Sequence, residues 1–294
     1  MTKALCIAVG SVLVCFGLSG CGEITEPTEV DGPSFGLAKG REGVTICHKG
    51  ETITVGGPAL RAHVAHGDRE GSCDAICSAP GLVSWWPGEG VTDDIANGNH
   101  GSLQNGAGFA PGKIGQAFSF DGADDQFTAP TMGLPTGSAD RTLMFWTRSP
   151  HMDRGNRMLA GWGSGGTGTM SAILLGQMNA PTRIPFFWGW AEDVLALSPL
   201  SDDTWYHLAV TVESGGFVRF YIDGIEDASG SRNLNTGTGT TFYMANRSVS
   251  DFIYGFEGLI DEVQVYGRAL LQSEIEAIVN AGNAGGCEGV NIVN

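Results

Sequence analysis

Apolar and polar positions alternate with a period of two from Thr204 to Gly224. Leu208, Val210 and Val212 fall on one face of the first arm, with Trp205, His207, Ala209 and Thr211 on the other. Ser214-Gly215-Gly216 interrupts the alternation, and Val218, Phe220 and Ile222 resume it before Asp223-Gly224 ends it. Alternation across a glycine turn predicts a β-hairpin, and an apolar face on such a hairpin needs a second sheet to cover it. The pattern recurs at Leu143, Phe145 and Thr147 against Met144, Trp146 and Arg148. It recurs again near the end, where Ile260, Glu262, Gln264 and Tyr266 are expected on one face and Asp261, Val263 and Val265 on the other. Short strands between glycine turns predict an all-β domain of two antiparallel sheets. A helical period appears at Gln272–Asn280, with Ile275, Ile278 and Val279 as its apolar stripe and Gly282 as its stop. Leu271 stands where a helix cap is wanted, so the cap is weak or falls on Ser273.

The chain before this domain has a different texture. Residues 1–21 carry Lys3 and an apolar run, Ala4 to Leu18, too short for a comfortable membrane span. The run ends Leu18-Ser19-Gly20-Cys21, which resembles a bacterial lipobox. That resemblance implies export and lipidation of Cys21, a lipid anchor to the membrane, and, with Gly22 following, the outer membrane or cell surface of a bacterium. Residues 22–43 mix proline, glycine and acidic positions without periodicity and read as a flexible tether. Residues 44–76 form a small Cys/His module with a strand at Thr52–Val55 and a short helix at Ala59–His66. A helix would put His63 and His66 on one face, near Cys47, His48, Asp68 and Cys73. The cysteines and histidines could hold zinc, or Cys47 and Cys73 could form a disulfide, which an exported protein favours.

Composition narrows the function. There are 46 glycines and 12 prolines in 294 residues, as a domain of many tight turns requires. The formal net charge of −16 opposes nucleic acid, which needs a basic surface, and opposes docking on anionic lipid through charge.

From residue 77 to residue 288 several blocks follow one another in a recognisable order. They are Leu82-Val83 through Trp86, Asn97-Gly98-Asn99-His100-Gly101, Phe120-Asp121-Gly122, Asp124-Asp125, Trp205 with His207, Tyr221-Ile222-Asp223-Gly224, Ile260-Asp261-Glu262-Val263 and Tyr266-Gly267-Arg268-Ala269-Leu270. Together they resemble the laminin-G-like, concanavalin A-type jelly-roll domains of bacterial surface proteins. The resemblance implies a two-sheet antiparallel jelly-roll sandwich with a short C-terminal helix, and a role in binding carbohydrate or a surface protein. Because such a fold brings its first and last strands together, it implies a Cys77–Cys287 disulfide and leaves Cys47–Cys73 as the second pair. Related domains often hold one calcium. The loop Asp93–Asn99 and the closing strand offer oxygens for it, with Asp94, Asn97 and Asp261 as the expected ligands.

Catalytic chemistry is hard to place. Glycoside hydrolases of this fold set paired carboxylates on alternate residues of one strand. Here Glu274 and Glu276 fall on the expected helix, and Asp124-Asp125 and Asp261-Glu262 are adjacent, so each pair is expected to point to opposite faces. No serine sits in a nucleophile-elbow context, so His207 reads as a packed residue and His100 as a turn residue. The domain is therefore expected to bind rather than cleave, with a glycan-cleaving enzyme or a purely structural envelope protein as alternatives. Phe186, Trp188 and Trp190 alternate and could stack on sugar rings, or could simply fill the core.

Overall fold

The computed structural model describes residues 7–8, 13–14, 43–48, 51–65, 69–70, 78–176, 183–238, 240–247 and 255–283. The expected lipidation site Cys21, the disulfide partners Cys73, Cys77 and Cys287, and His66 and Asp68 lie outside them, as does the side chain of Cys47. Among the described residues no helix is long and apolar enough to cross a membrane.

In the first 40 residues Ile7–Ala8 (β1) pairs antiparallel with Leu13–Val14 (β2). In the small module Val44–His48 (β3), Glu51–Val55 (β4) and Arg69–Glu70 (β5) make a sheet in the order β4-β3-β5. The helix Gly57–Ala65 (α1) connects β4 to β5, with Pro58 in its first turn, where a missing N–H costs nothing. The rings of His48 and His63 meet edge-on, with centroids 4.9 Å apart.

The main domain starts at Leu82–Trp86 (β6), Ser102–Gln104 (β7), Gly108–Pro111 (β8), Gln116–Asp121 (β9) and Gln126–Ala129 (β10). It continues through Arg141–Arg148 (β11), Arg157–Gly163 (β12), Met170–Leu175 (β13), Pro185–Trp188 (β14) and Val194–Leu195 (β15). The expected hairpin is Tyr206–Glu213 (β16) with Phe217–Ile222 (β17), followed by Ile225–Ser231 (β18), Phe242–Met244 (β19), Glu257–Tyr266 (β20) and the helix Gln272–Asn283 (α2).

These strands form two antiparallel sheets. One has seven strands in the order β15-β14-β13-β12-β19-β10-β7. The other has eight, running β18-β17-β16-β11-β20, and the far edge of β20 is shared in tandem. Its first half, Glu257–Ile260, pairs with β9, and its second half, Val263–Tyr266, pairs with β6. Just before β6 the chain is clasped to the same end of β20. Ala79 N–H donates to the Tyr266 hydroxyl, Arg268 Nε to the Pro80 carbonyl, and Gly267 N–H to the Gly81 carbonyl, over 3.2, 2.7 and 2.9 Å.

The alternation read from the sequence decides what each face buries. Leu208, Val210, Val212, Val218, Phe220, Leu143, Phe145 and Trp86 meet Phe127, Trp162, Ile173, Phe187 and Phe242 of the other sheet in the central core. Met144, Trp146, Ala209, Tyr221 and Tyr266 face outward, where α2 covers them with Ile275, Ile278 and Val279. Burying each of those three aliphatic side chains stabilises by roughly 1.5–3 kcal/mol, which is what holds so short a helix. Gly282 does not stop α2, which runs on to Asn283. A Cβ at Gly282 would come within 2.9 Å of Trp146 Nε1, so glycine is there for close approach.

β20 departs from its expected alternation. Trp146 pairs with Asp261 and Met144 with Gln264, so β20 holds one residue more than β11 across this stretch. The extra residue is accommodated at Glu262, whose φ is +55°. The bulge sits where β20 changes partner from β9 to β6, and it returns Val263 and Val265 to the core face of Ile260.

Candidate functional site

The bulge corrects one expectation about chemistry: Asp261 and Glu262 do not point to opposite faces. Asp261 lies opposite Trp146 on the outer face, and Glu262 Oε2 accepts a 2.6 Å hydrogen bond from Nε1 of Trp85, which lies opposite outer-face Gln264. Asp261 Oδ2 accepts the backbone N–H groups of Lys113 and Ile114, at 2.8 and 3.0 Å. Burial pushes the Asp261 carboxyl up to about 8, with the Glu89 charge adding to it, and raises Glu262 well above the usual carboxylate range, with Asp261 adding to it. Both side chains are buried: Asp261 holds the Lys113–Ile114 backbone to the sheet, and Glu262 is held by Trp85.

Asp94 and Asn97 both make hydrogen bonds within the protein. Asp94 accepts three backbone N–H groups, from Trp85, Ala96 and Asn99, at 2.8–3.0 Å. Asn97 is exposed and its Nδ2 reaches the Met132 carbonyl at 3.3 Å. The buried hub of this loop is Asn99, which the sequence reading passed over. Its amide donates to Ser84 Oγ and the Met132 carbonyl and accepts from Met132 N–H, while its carbonyl accepts Trp86 Nε1. The acidic oxygens that come together among the described residues are those of Asp121, Asp124 and Asp125 in the β9–β10 turn. One oxygen from each lies within 4.8 Å of the others. Calcium, at 2.3–2.6 Å from its oxygens, spans that separation. Asp125 is 4% exposed, and its Oδ1 has no hydrogen-bond partner. Burial raises its carboxyl above the usual range, and the charges of Asp121 and Asp124 add to that.

His207 is buried against the edge of Trp146, with centroids 5.2 Å apart, and burial lowers its pKa to about 3. It is a neutral packing residue. His100 is exposed, with Nδ1 3.2 Å from Asp93. A cavity of about 590 Å³ lies between the hairpin and the start of α2, lined by Glu213, Arg219, Tyr221 and Glu226 among others. Arg219 pairs with both Glu213 and Glu226, so its guanidinium fills the space between the two carboxylates.

The aromatic candidates converge on the outer face of the seven-stranded sheet. Phe186, 2% exposed, lies in an apolar underlayer with Met158, Met170, Ala172 and Leu174. Trp188 and Trp190 lie half-buried above it, stacked with centroids 4.8 Å apart and planes at 29°. Trp190 has φ +58° and Ala191 φ +69°, so the chain reverses in a conformation uncommon for bulky residues. A Cβ at Gly165 would meet the Trp190 ring at 3.4 Å, so the rim beside that ring is backbone. Two members of the cluster were not legible as such. Tyr243 arrives on β19, and the Arg247 guanidinium lies 5.7 Å from the centroids of both tryptophans and 5.9 Å from that of Tyr243. Only the pairing of β12 with β19 brings them beside β13 and β14.

Residues 121–276 match the family profile of the concanavalin A-like lectin/glucanases superfamily, in its laminin G form. The chain belongs to this superfamily. No curated protein sequence matches it. Among solved structures, domain 4 of AbnA, a GH43 extracellular arabinanase from Geobacillus stearothermophilus solved with arabinotriose, is 21% identical with a TM-score of 0.56. That match covers 67% of this chain and 98% of the arabinanase domain. Botulinum neurotoxin type C, whose cell entry depends on interaction with two ganglioside molecules, is 10% identical, TM-score 0.53, over 69% of this chain and 51% of the toxin chain. Trypanosoma rangeli sialidase is 15% identical, TM-score 0.50, over 76% of this chain and 38% of the enzyme. The chain thus spans nearly all of the arabinanase domain, about half of the toxin chain, and less of the sialidase. At these identities the likeness is one of fold, and it places lectin-like and hydrolytic proteins side by side.

Proposed function

We propose that this superfamily member is a carbohydrate-binding surface protein, exported and lipid-anchored through Cys21, which recognises a glycan on the Trp188–Trp190–Tyr243 face. The observation that carries the reading is the stacked, half-buried tryptophan pair on an outer sheet face, one ring held there by a left-handed backbone. Both rings stay partly exposed and present flat apolar surface beside polar atoms, as sugar stacking requires. The arabinotriose and ganglioside named for two fold relatives support it by analogy of fold. Binding is favoured over cleavage by the carboxylates. Asp261 and Glu262 are buried on backbone and indole N–H groups, and Glu213 and Glu226 are both paired with Arg219, so neither pair is placed to flank a glycosidic bond. Calcium enters the proposal at Asp121, Asp124 and Asp125. Gln126 Nε2 donates to the Asn246 carbonyl at 2.8 Å, tying that turn to the chain entering Arg247.

The test is a glycan array with the wild-type chain and Trp188→Ala/Trp190→Ala. Retention of a glycan by the wild type and its loss in the variant, with thermal stability kept, is the expected result. Retention of no glycan while a surface protein is captured would replace the reading with protein adhesion. Turnover of an oligosaccharide would replace it with cleavage.

A further inference from the structure

Among the described residues two arginines are buried, and they are satisfied very differently. Arg141, 1% exposed, donates to Ser171 Oγ at 2.9 Å, the Ala139 carbonyl at 2.7 Å and Thr236 Oγ1 at 2.9 Å, a set of oxygens matched to its fork. Arg247, 6% exposed, has no such set. Nη1 lies 3.0 Å from the Met170 sulfur, Nη2 lies 3.4 Å from the Gly163 carbonyl, and Nε has no partner. Sulfur is a weak acceptor, and 3.4 Å is a long hydrogen bond. No carboxylate among the described residues pairs with Arg247, although the chain has 32 acidic residues to 16 basic ones. A guanidinium removed from water without a counter-ion is destabilising, and the faces of three rings recover only part of that loss. Burial correspondingly lowers its pKa, with Tyr243 acting slightly the other way. The unpartnered Nε lies on one edge of the planar fork, and a fork edge matches a carboxylate in bidentate geometry.

We propose that the platform selects acidic sugars, with a uronic-acid-type ring stacked on Trp188 and Trp190 and its carboxylate paired with Arg247. The inference rests on the carbohydrate reading above and narrows it to a substrate class. It also explains how a chain of net charge −16 holds an anionic glycan: one desolvated cation, shielded by rings from competing carboxylates, does so at short range where the overall charge is screened.

The experiment uses the full chain and paired probes: polygalacturonate, alginate and hyaluronan, each beside its carboxyl-reduced form, which keeps the linkage and removes the charge. Wild type is expected to bind at least one acidic member roughly tenfold or more tighter than its reduced partner. Arg247→Met is expected to erase that difference while still binding the reduced form, and Arg247→Lys, which keeps the charge without the fork, to restore part of it. Equal binding of acidic and reduced probes by the wild type overturns the inference and leaves the carbohydrate reading standing. An acid preference that survives in Arg247→Met overturns the assignment to Arg247. Binding to neither series of probes overturns this inference, and the glycan array then decides the broader reading. The wild-type comparison stands even if both variants fail to fold.

Discussion

Glu274 shows how one side chain replaces a missing one. The first turn of α2 has Leu271 at its cap, exposed and without an oxygen to offer. Glu274 reaches back and accepts the Leu271 N–H at 2.9 Å, the reciprocal half of a capping box, while Arg268 holds its carboxylate with two hydrogen bonds of 2.8 and 2.6 Å. That pairing, with Arg268 first among its causes, lowers the Glu274 carboxyl below its usual range. Restoring the missing half is expected to help. Leu271→Ser should raise the unfolding free energy by about 1 kcal/mol, read as a shift in urea midpoint at unchanged slope. The absent cap was legible in the sequence, because only the residue type at Leu271 mattered. Its remedy was not, because it depends on Arg268 and Glu274 closing across the turn. Asn99 was missed for the same reason: two residues from Asn97 in sequence it looks equivalent, and only burial separates them.

At the scale of elements, the hairpin β16–β17 was legible in full and β20 was not. The hairpin has an uninterrupted period of two and a local glycine turn, so its register needs nothing from elsewhere. In β20 one extra residue reverses the parity, and the reason lies in two strands far away in sequence that share its edge. The error carried into chemistry, since it separated Asp261 from Glu262. Their shared burial gives a pH dependence. Asp261 is raised to about 8 from 3.8, so between those values the folded chain keeps a proton that the unfolded chain has released. Stability contributed by that proton is full below pH 4 and is lost as pH rises towards 8, by at most about 1.4 kcal/mol per pH unit per proton. Asp261→Asn, which stays neutral and can still accept from Lys113 and Ile114, should flatten that decline. Chemical denaturation of both proteins from pH 5 to pH 8 reads the difference, and parallel curves would contradict it.

For the whole molecule, the two-sheet sandwich and its class were readable from alternation and the ordered blocks. The proposed binding face was only half readable, because Phe186, Trp188 and Trp190 are local while Tyr243 and Arg247 come from the other end of the domain. Gln126, next to the three aspartates of the β9–β10 turn, ties that turn to the Asn246 carbonyl far along the chain, so calcium held by the aspartates is expected to stabilise more than the turn itself. Thermal unfolding should rise with millimolar calcium and fall with chelator, and Asp125→Asn should remove the response without lowering stability in chelator. The clasp at Ala79–Gly81 has a mechanical consequence. A pull entering the domain from its N-terminal side arrives first at the Tyr266 hydroxyl, the Arg268 side chain and the Gly267 amide, and then at the Leu82–Tyr266 end of β6. Load is therefore taken by the eight-stranded sheet, whereas Trp188, on the seven-stranded sheet, stands outside the strand that would peel first.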